Sequence, residues 1–192
     1  MTKKRKWLFF SISLFCILFA GTLKLLQEKW NMTFFLLQMT STGWISVSLI
    51  LCAFCLSILL FSLFSKPRKN PKLHTFLFPI FIILSIVMLI IFTFICLFYG
   101  FIRDSKYYTF HSPLNDHTII VEEQSFLLAG YGNFYVKENA LFMKYVDYYT
   151  TDDGYRPFKF NDYHVKWEKD RATIFYGFGS GDVQKETVIQ LK

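Results

Sequence analysis

The sequence predicts an α+β membrane protein: three transmembrane helices followed by a small antiparallel β sandwich or strongly twisted β-meander. Three observations carry this. Thr75–Phe101 is a run of 27 residues without Asp, Glu, Lys or Arg. As a helix it would reach about 40 Å, enough to cross a hydrocarbon core of about 30 Å. Charge divides sharply: residues 1–102 carry ten basic residues and one acid, Glu28, whereas residues 103–192 carry eleven basic and thirteen acidic ones. From Arg103 onward apolar residues alternate with polar ones instead of running on continuously, the period of half-buried strands. Residues 1–102 are therefore expected to form a membrane domain, with helices near 7–26, 43–64 and 75–101. Residues 103–192 are expected to form an exterior soluble β domain.

The chain opens with a basic head, MTKKRK, and an apolar run, Trp7–Leu26. A signal peptide and a first membrane helix share this pattern. Leu18 is poor for a small-x-small cleavage site ending at Ala20, and Phe15 stands where a lipoprotein cysteine would need a small residue. An uncleaved helix is the favoured reading, with Lys24 reaching toward the interface. Gln27–Thr42 is too polar at its ends to span, but Phe34, Phe35, Leu36, Leu37 and Met39 make its centre apolar. With Trp30 and Trp44 as interfacial anchors, it reads as a loop lying partly among the outer headgroups. Asn31-Met32-Thr33 matches a glycosylation pattern, a weak signal at three residues.

Gly43–Phe64 is a second charge-free run. Ser65–His74, SKPRKNPKLH, follows with four basic residues, two prolines and no acid. Basic residues stay on the cytoplasmic side. The head and this second loop are therefore inside, and the first loop and residues 103–192 outside. The basic excess belongs to membrane flanks, so a nucleic-acid partner is not expected. Pro79 lies in the first turn of the third helix, where its missing N–H costs little.

In the second half, strands are expected at Tyr107–Phe110, Thr118–Glu123, Ser125–Ala129, Asn133–Lys137, Leu141–Thr150, Asp162–Trp167, Ala172–Phe178 and Val183–Leu191. Gly130-Tyr131-Gly132-Asn133 reads as a break. Thr151-Asp152-Asp153-Gly154 and Glu168-Lys169-Asp170-Arg171 read as hairpin turns. Seven or eight short strands suit a small sandwich.

Candidate chemistry is sparse. Cys16, Cys52, Cys55 and Cys96 all lie in apolar spans. Cys52-Ala53-Phe54-Cys55 has redox spacing but lacks the setting that thiol chemistry needs, so packing is the reading. Ser46, Ser48, Ser57, Ser62 and Ser85 are expected to pack between helices. His111, Asp116 and His117 flank one turn, but no third ligand has a fixed spacing. Asp152-Asp153 suits a turn better than a calcium loop. Glu122 and Glu123 point to opposite faces of a strand and cannot pair. Gly177–Gly181, GFGSG, lacks the Gly-Lys-Ser/Thr of a phosphate loop. No enzyme and no cofactor are expected. Aromatic residues crowd the β domain, and most must fill its core. Tyr148, Tyr149 and Tyr155, beside Asp152 and Asp153, form the candidate recognition surface.

SPLNDHTIIVEEQSFLLAGYGNFYVKEN, DDGYRPF and VKWEKDRATIFYGFG together resemble the exterior domain of small uncharacterised membrane proteins of Gram-positive bacteria. Those proteins pair N-terminal helices with a C-terminal β-rich domain in which Ser-Pro-Asp-Gly opens one hairpin and a Trp precedes another. Here the first turn is Ser112-Pro113-Leu114-Asn115-Asp116, without the Gly. The likeness covers roughly residues 110–180. It implies the architecture and a cell-membrane location, and it carries no activity. The expected role is binding by the exterior domain, as an accessory subunit or a sensor. The partners would be the lipid bilayer and another membrane or envelope protein. The alternative is an immunity-type protein against a membrane-active peptide.

Overall fold

The structure is a computed structural model that describes residues 2–64, 78–80, 82–83, 85–87, 89–90, 92, 94, 104–114, 116–126, 128–179 and 183–191. The chain divides into two compact units, Met1–Leu25 with Ser41–Tyr99, and Leu26–Thr40 with Gly100–Lys192. The segment between the first two helices falls in the β unit.

The helical unit contains α1 (Lys3–Trp30) and α2 (Ser41–Phe64). Thr2 caps α1, its side-chain oxygen accepting from the Arg5 N–H and its carbonyl from the Lys6 N–H. Asn31, with φ of 53°, ends it in a left-handed residue. Both helices are long and apolar enough to cross a membrane. Only 22% of each apolar stretch is buried, whereas a core helix of a soluble protein would be mostly covered. What they bury is small apart from Leu23: Ser13, Cys16 and Ala20 on α1, and Ser41, Ser48, Cys52 and Cys55 on α2. Ser13 and Cys16 of α1 lie near Cys52 and Cys55 of α2. Large side chains such as Phe15, Leu18 and Phe54 face outward. Small residues inside and bulky apolar ones outside is the packing pattern of helices in lipid.

The expected role of the serines needs refinement. Ser46, Ser48 and Ser57 donate to carbonyls of their own helix four residues back, which satisfies a hydroxyl in an apolar setting. Ser62 Oγ is buried with no partner among the described residues. The third expected helix, 75–101, lies largely outside the described residues; those described within it, between 78 and 94, are helical. The basic loop 65–74 also lies outside them.

The β unit has two sheets. The larger has the order β1-β5-β4-β3-β2 and the smaller β6-β7-β8, with every pairing antiparallel. The strands are β1 (Met32–Phe34), β2 (Asp104–His111), β3 (Thr118–Phe126), β4 (Ala129–Lys137), β5 (Phe142–Thr151), β6 (Tyr163–Trp167), β7 (Arg171–Gly177) and β8 (Gln184–Gln190). Thus β2 to β5 form a meander, and β6 to β8 cover one of its faces. A single aromatic-rich core joins Ile119, Val121, Phe134 and Tyr149 of the large sheet to Ala172, Ile174, Tyr176 and Ile189 of the small one. Phe158, in the connection between the sheets, stacks on Tyr163 with ring centroids 5.2 Å apart and meets Phe134 edge-on.

Three expectations fail for local reasons. Thr118–Glu123 and Ser125–Ala129 are not two strands: pairing runs unbroken through Phe126, and Ala129 already opens β4. The expected break at Gly130–Asn133 lies inside β4, where Gly132 leaves room for the Tyr149 ring; a Cβ there would meet that ring and the Glu122 carbonyl. Asp152–Gly154 does turn, with φ of 48° at Asp153 and 68° at Gly154, but the next strand, β6, joins the other sheet. The Glu168–Arg171 hairpin is present: β6 pairs with β7, and Glu168 N–H donates to the Arg171 carbonyl.

The largest departure is in the inter-helix segment, expected as a loop throughout: residues 32–34 form a strand. Met32, Thr33 and Phe34 pair with Lys144, Met143 and Phe142. Tyr145 N–H donates to the Asn31 carbonyl at 2.9 Å, and Phe35 N–H to the Leu141 carbonyl at 2.8 Å. Phe34 meets Phe142 edge-on, and Phe35 packs on Tyr107 at 4.9 Å. Leu36 and Met39 exchange two backbone hydrogen bonds around Leu37 and Gln38, whose φ values are 53° and 58°. That is a two-residue turn of the type that favours Asn-Gly. Each non-glycine residue in the left-handed region costs about 1–2 kcal/mol.

Phe134 is fully buried where both sheets and Phe158 meet. Phe134→Ala should cost the β unit about 3–5 kcal/mol, read by urea unfolding of the full chain in detergent.

Candidate functional site

The candidate recognition residues gather only in part. Thr151 Oγ1 donates to the Tyr155 carbonyl at 2.6 Å, and Tyr155 N–H to the Asp152 carbonyl at 2.8 Å. Asp152 N–H donates to the Phe178 carbonyl at 2.8 Å, tying this turn to the end of β7. Tyr155 OH donates to Asp162 Oδ2 at 2.8 Å, and Gly177 N–H to the Asp162 carbonyl at 3.0 Å. Tyr155 lies against two glycines of the GFGSG stretch. A Cβ at Gly177 would strike the Asp162 carboxylate, and one at Gly179, with φ of 104°, would press on Tyr155 Cβ. These glycines therefore make room for an aromatic residue and a carboxylate, not for a phosphate.

The outcome is a fixed loop cluster at one end of the sandwich. Tyr155 stacks on Phe160 at 5.6 Å with the rings 21° apart, and Phe160 remains 60% exposed. Lys185 Nζ lies 3.7 Å from the centre of the Phe178 ring, and Lys159 Nζ 5.6 Å from that of Phe160. The hydrogen bond to Asp162 pushes the Tyr155 phenol above its ordinary range, with burial adding to it. Asp152 and Asp153 are exposed beside it.

Two of the five expected residues do not belong to this cluster. Tyr149 is 2% exposed and packs among Phe134, Phe158 and Tyr176 in the core. Alternation along β5 separates it from Tyr148, which is 62% exposed. Tyr148 pairs with Asn133 on the face of the large sheet that points away from the core. In their place stand Phe160, Phe178 and Asp162. The sequence signal for them was the spacing of aromatic residues around Asp162 and the glycines of 177–181, which a turn-centred reading passes over.

Glu122 and Glu123 do lie on opposite faces. Glu123, 1% exposed, accepts from Phe158 N–H at 2.9 Å, Tyr108 OH at 3.2 Å and Arg156 Nε at 3.3 Å. Glu122, 5% exposed, accepts from Tyr107 OH at 2.8 Å, Asn133 Nδ2 at 2.9 Å and Tyr135 OH at 2.9 Å. Each carboxylate is thus held by three donors in a structural role. Burial, then Glu122, pushes the Tyr135 phenol upward; burial, then Glu123, does the same to Tyr149. The Tyr149 hydroxyl is buried with no hydrogen-bond partner among the described residues.

The turn histidines are engaged locally. His111 Nδ1 is 3.2 Å from Thr118 Oγ1, Ser112 Oγ donates to Asp116, and His117 Nε2 is 3.8 Å from Asp116 Oδ2. The Ser112 hydroxyl holds the Asp116 carboxyl below its ordinary range. Among the described residues no cluster of three His, Cys, Asp or Glu side chains is arranged to hold a metal ion.

The two buried phenols give a paired test by chemical unfolding of the full chain. Tyr135→Phe removes a bond to a buried carboxylate and should destabilise the β unit by about 1.5–3 kcal/mol. Tyr149→Phe removes an unsatisfied hydroxyl and should be neutral or stabilising. Comparison with known protein families, with curated proteins and with solved structures finds no match.

Proposed function

We propose that this protein is an integral membrane protein that presents its β unit outside the cytoplasm, where the unit binds another membrane or envelope protein as an accessory subunit or sensor. The observation that carries the binding role is the Tyr155–Phe160 stack. An aromatic pair sits on loops that several backbone hydrogen bonds hold in place, and one ring stays 60% exposed. Exposed aromatic residues on fixed loops suit partner recognition, because they contribute large contact area with few torsions to freeze.

The orientation draws support from strand pairing. β1 and β5 are hydrogen-bonded neighbours, so residues 32–34 and 142–144 share one side of any membrane. A spanning α2 starts on that side and ends on the other. The chain must then cross back before β2, and the charge-free run 75–101 is long enough to do so. Basic residues at the head and in 65–74 orient this arrangement with the N-terminus in the cytoplasm.

A photo-crosslinker at Lys159 in native membranes should capture a membrane or envelope protein, and Phe160→Ser should lower the yield severalfold. A yield unchanged by Phe160→Ser removes the binding role from this surface.

A further inference from the structure

We infer that the hairpin tip Leu36–Leu37 is a membrane-surface contact: the two leucines insert into the headgroup and upper acyl region of the leaflet in which α1 ends and α2 begins. The inference rests on the reading that both helices cross the bilayer.

The apolar centre of this segment is divided between two uses. Thr33, Phe34 and Phe35 are committed to the sheet through β1, its ring contacts and the Phe35–Leu141 bond. The side chain of Leu37 is left 77% exposed, and that of Leu36 37%. Single exposed leucines are ordinary on any surface, and Leu114 and Leu128 are others. Leu37 differs because it occupies a left-handed position next to a second one, Gln38, where a branched side chain is unfavourable and glycine or asparagine would serve the turn. The backbone therefore presents an apolar side chain outward where turn formation alone favours a polar or absent one.

Chain length bounds what it can reach. Leu37 is four residues from Ser41, the first residue of α2, so its Cα lies within about 14 Å of the start of a charge-free spanning helix. It is seven residues from Trp30, the last residue of α1. Trp30 is 54% exposed, with Lys29 Nζ 5.2 Å from its ring centre, a pairing suited to the headgroup layer. That layer is about 5–8 Å deep on each side of the hydrocarbon core. The tip, Leu36-Leu37-Gln38-Met39, is uncharged and three-quarters apolar, and its short connections to both helices keep the bilayer surface within its reach.

The test uses the full chain with Cys16, Cys52, Cys55 and Cys96 replaced by alanine, reconstituted in phosphatidylcholine–phosphatidylglycerol vesicles. A nitroxide is placed in turn through Leu37→Cys, Leu114→Cys and Leu49→Cys, the last on the exposed face of α2. The expected result is collision dominated by oxygen at residues 37 and 49, and by a water-soluble nickel chelate at residue 114. Chelate-dominated collision at 37 with oxygen-dominated collision at 49 overturns the inference and leaves the membrane reading standing. Chelate-dominated collision at 49 overturns both. Protection of residue 37 from both reagents marks burial against protein, such as a second copy, and also overturns it. Leu37→Gly keeps the turn and should leave unfolding of the β unit unchanged or slightly delayed. With the label moved to Leu36→Cys, the same glycine variant should reduce oxygen collision; an unchanged value counts against a leucine-driven contact.

Discussion

Pairing of β1 with β5 is the constraint on which the architecture depends. Three residues of an inter-helix connection complete the edge of a sheet whose other strands come from the last ninety residues of the chain. This fixes two segments distant in sequence on one side of any membrane. It also explains why a short apolar stretch between two long helices is not itself a span. Thr33, 3% exposed, opposes the fully buried Met143, and Phe35 covers Tyr107. The segment therefore carries side chains of a sheet and not those of a free loop.

The interior of the β unit is mixed in chemistry. One face of the large sheet closes on the small sheet through aromatic rings, yet Glu123 and Arg156 are buried at the edge of that core. A buried ion pair is weak support for stability, but removal of one partner is costly. Glu123 also accepts the Phe158 N–H, so it holds the inter-sheet connection in register with β3. The pair positions the segment that ends in the Tyr155–Phe160 cluster, which links the core to the proposed binding surface through the backbone of 155–162.

Much of this was legible from the residues. Continuous apolar runs gave the two long helices, and period-two alternation placed β2, β5, β6, β7 and β8 to within a few residues, whereas β3 and β4 were divided wrongly, with Ser125–Ala129 read as a strand of its own. β1 was not legible, because three residues carry too little periodicity and their partner lies more than a hundred positions away. The Gly130–Asn133 break failed for a related reason: a glycine inside a strand looks like a turn until the Tyr149 ring that needs the space is seen. The site was half legible. Asp152, Asp153 and Tyr155 cluster as their spacing suggested, but Tyr148 and Tyr149 are adjacent on a strand and must face apart. Phe160 and Asp162 joined the site through the crossing to the second sheet; the aromatic spacing around Asp162 is a local trace of it, but the contact itself is long-range.

The most direct measurement is a disulfide across the β1–β5 pair. Met32 and Lys144 are direct partners, and such partners lie about 4.5–5.5 Å apart, within disulfide reach. In a chain whose native cysteines are replaced by alanine, Met32→Cys with Lys144→Cys should form an intramolecular disulfide on mild oxidation in native membranes. Failure to crosslink, with the two thiols reacting with impermeant reagents from opposite sides of the membrane, would contradict the shared strand and the topology built on it.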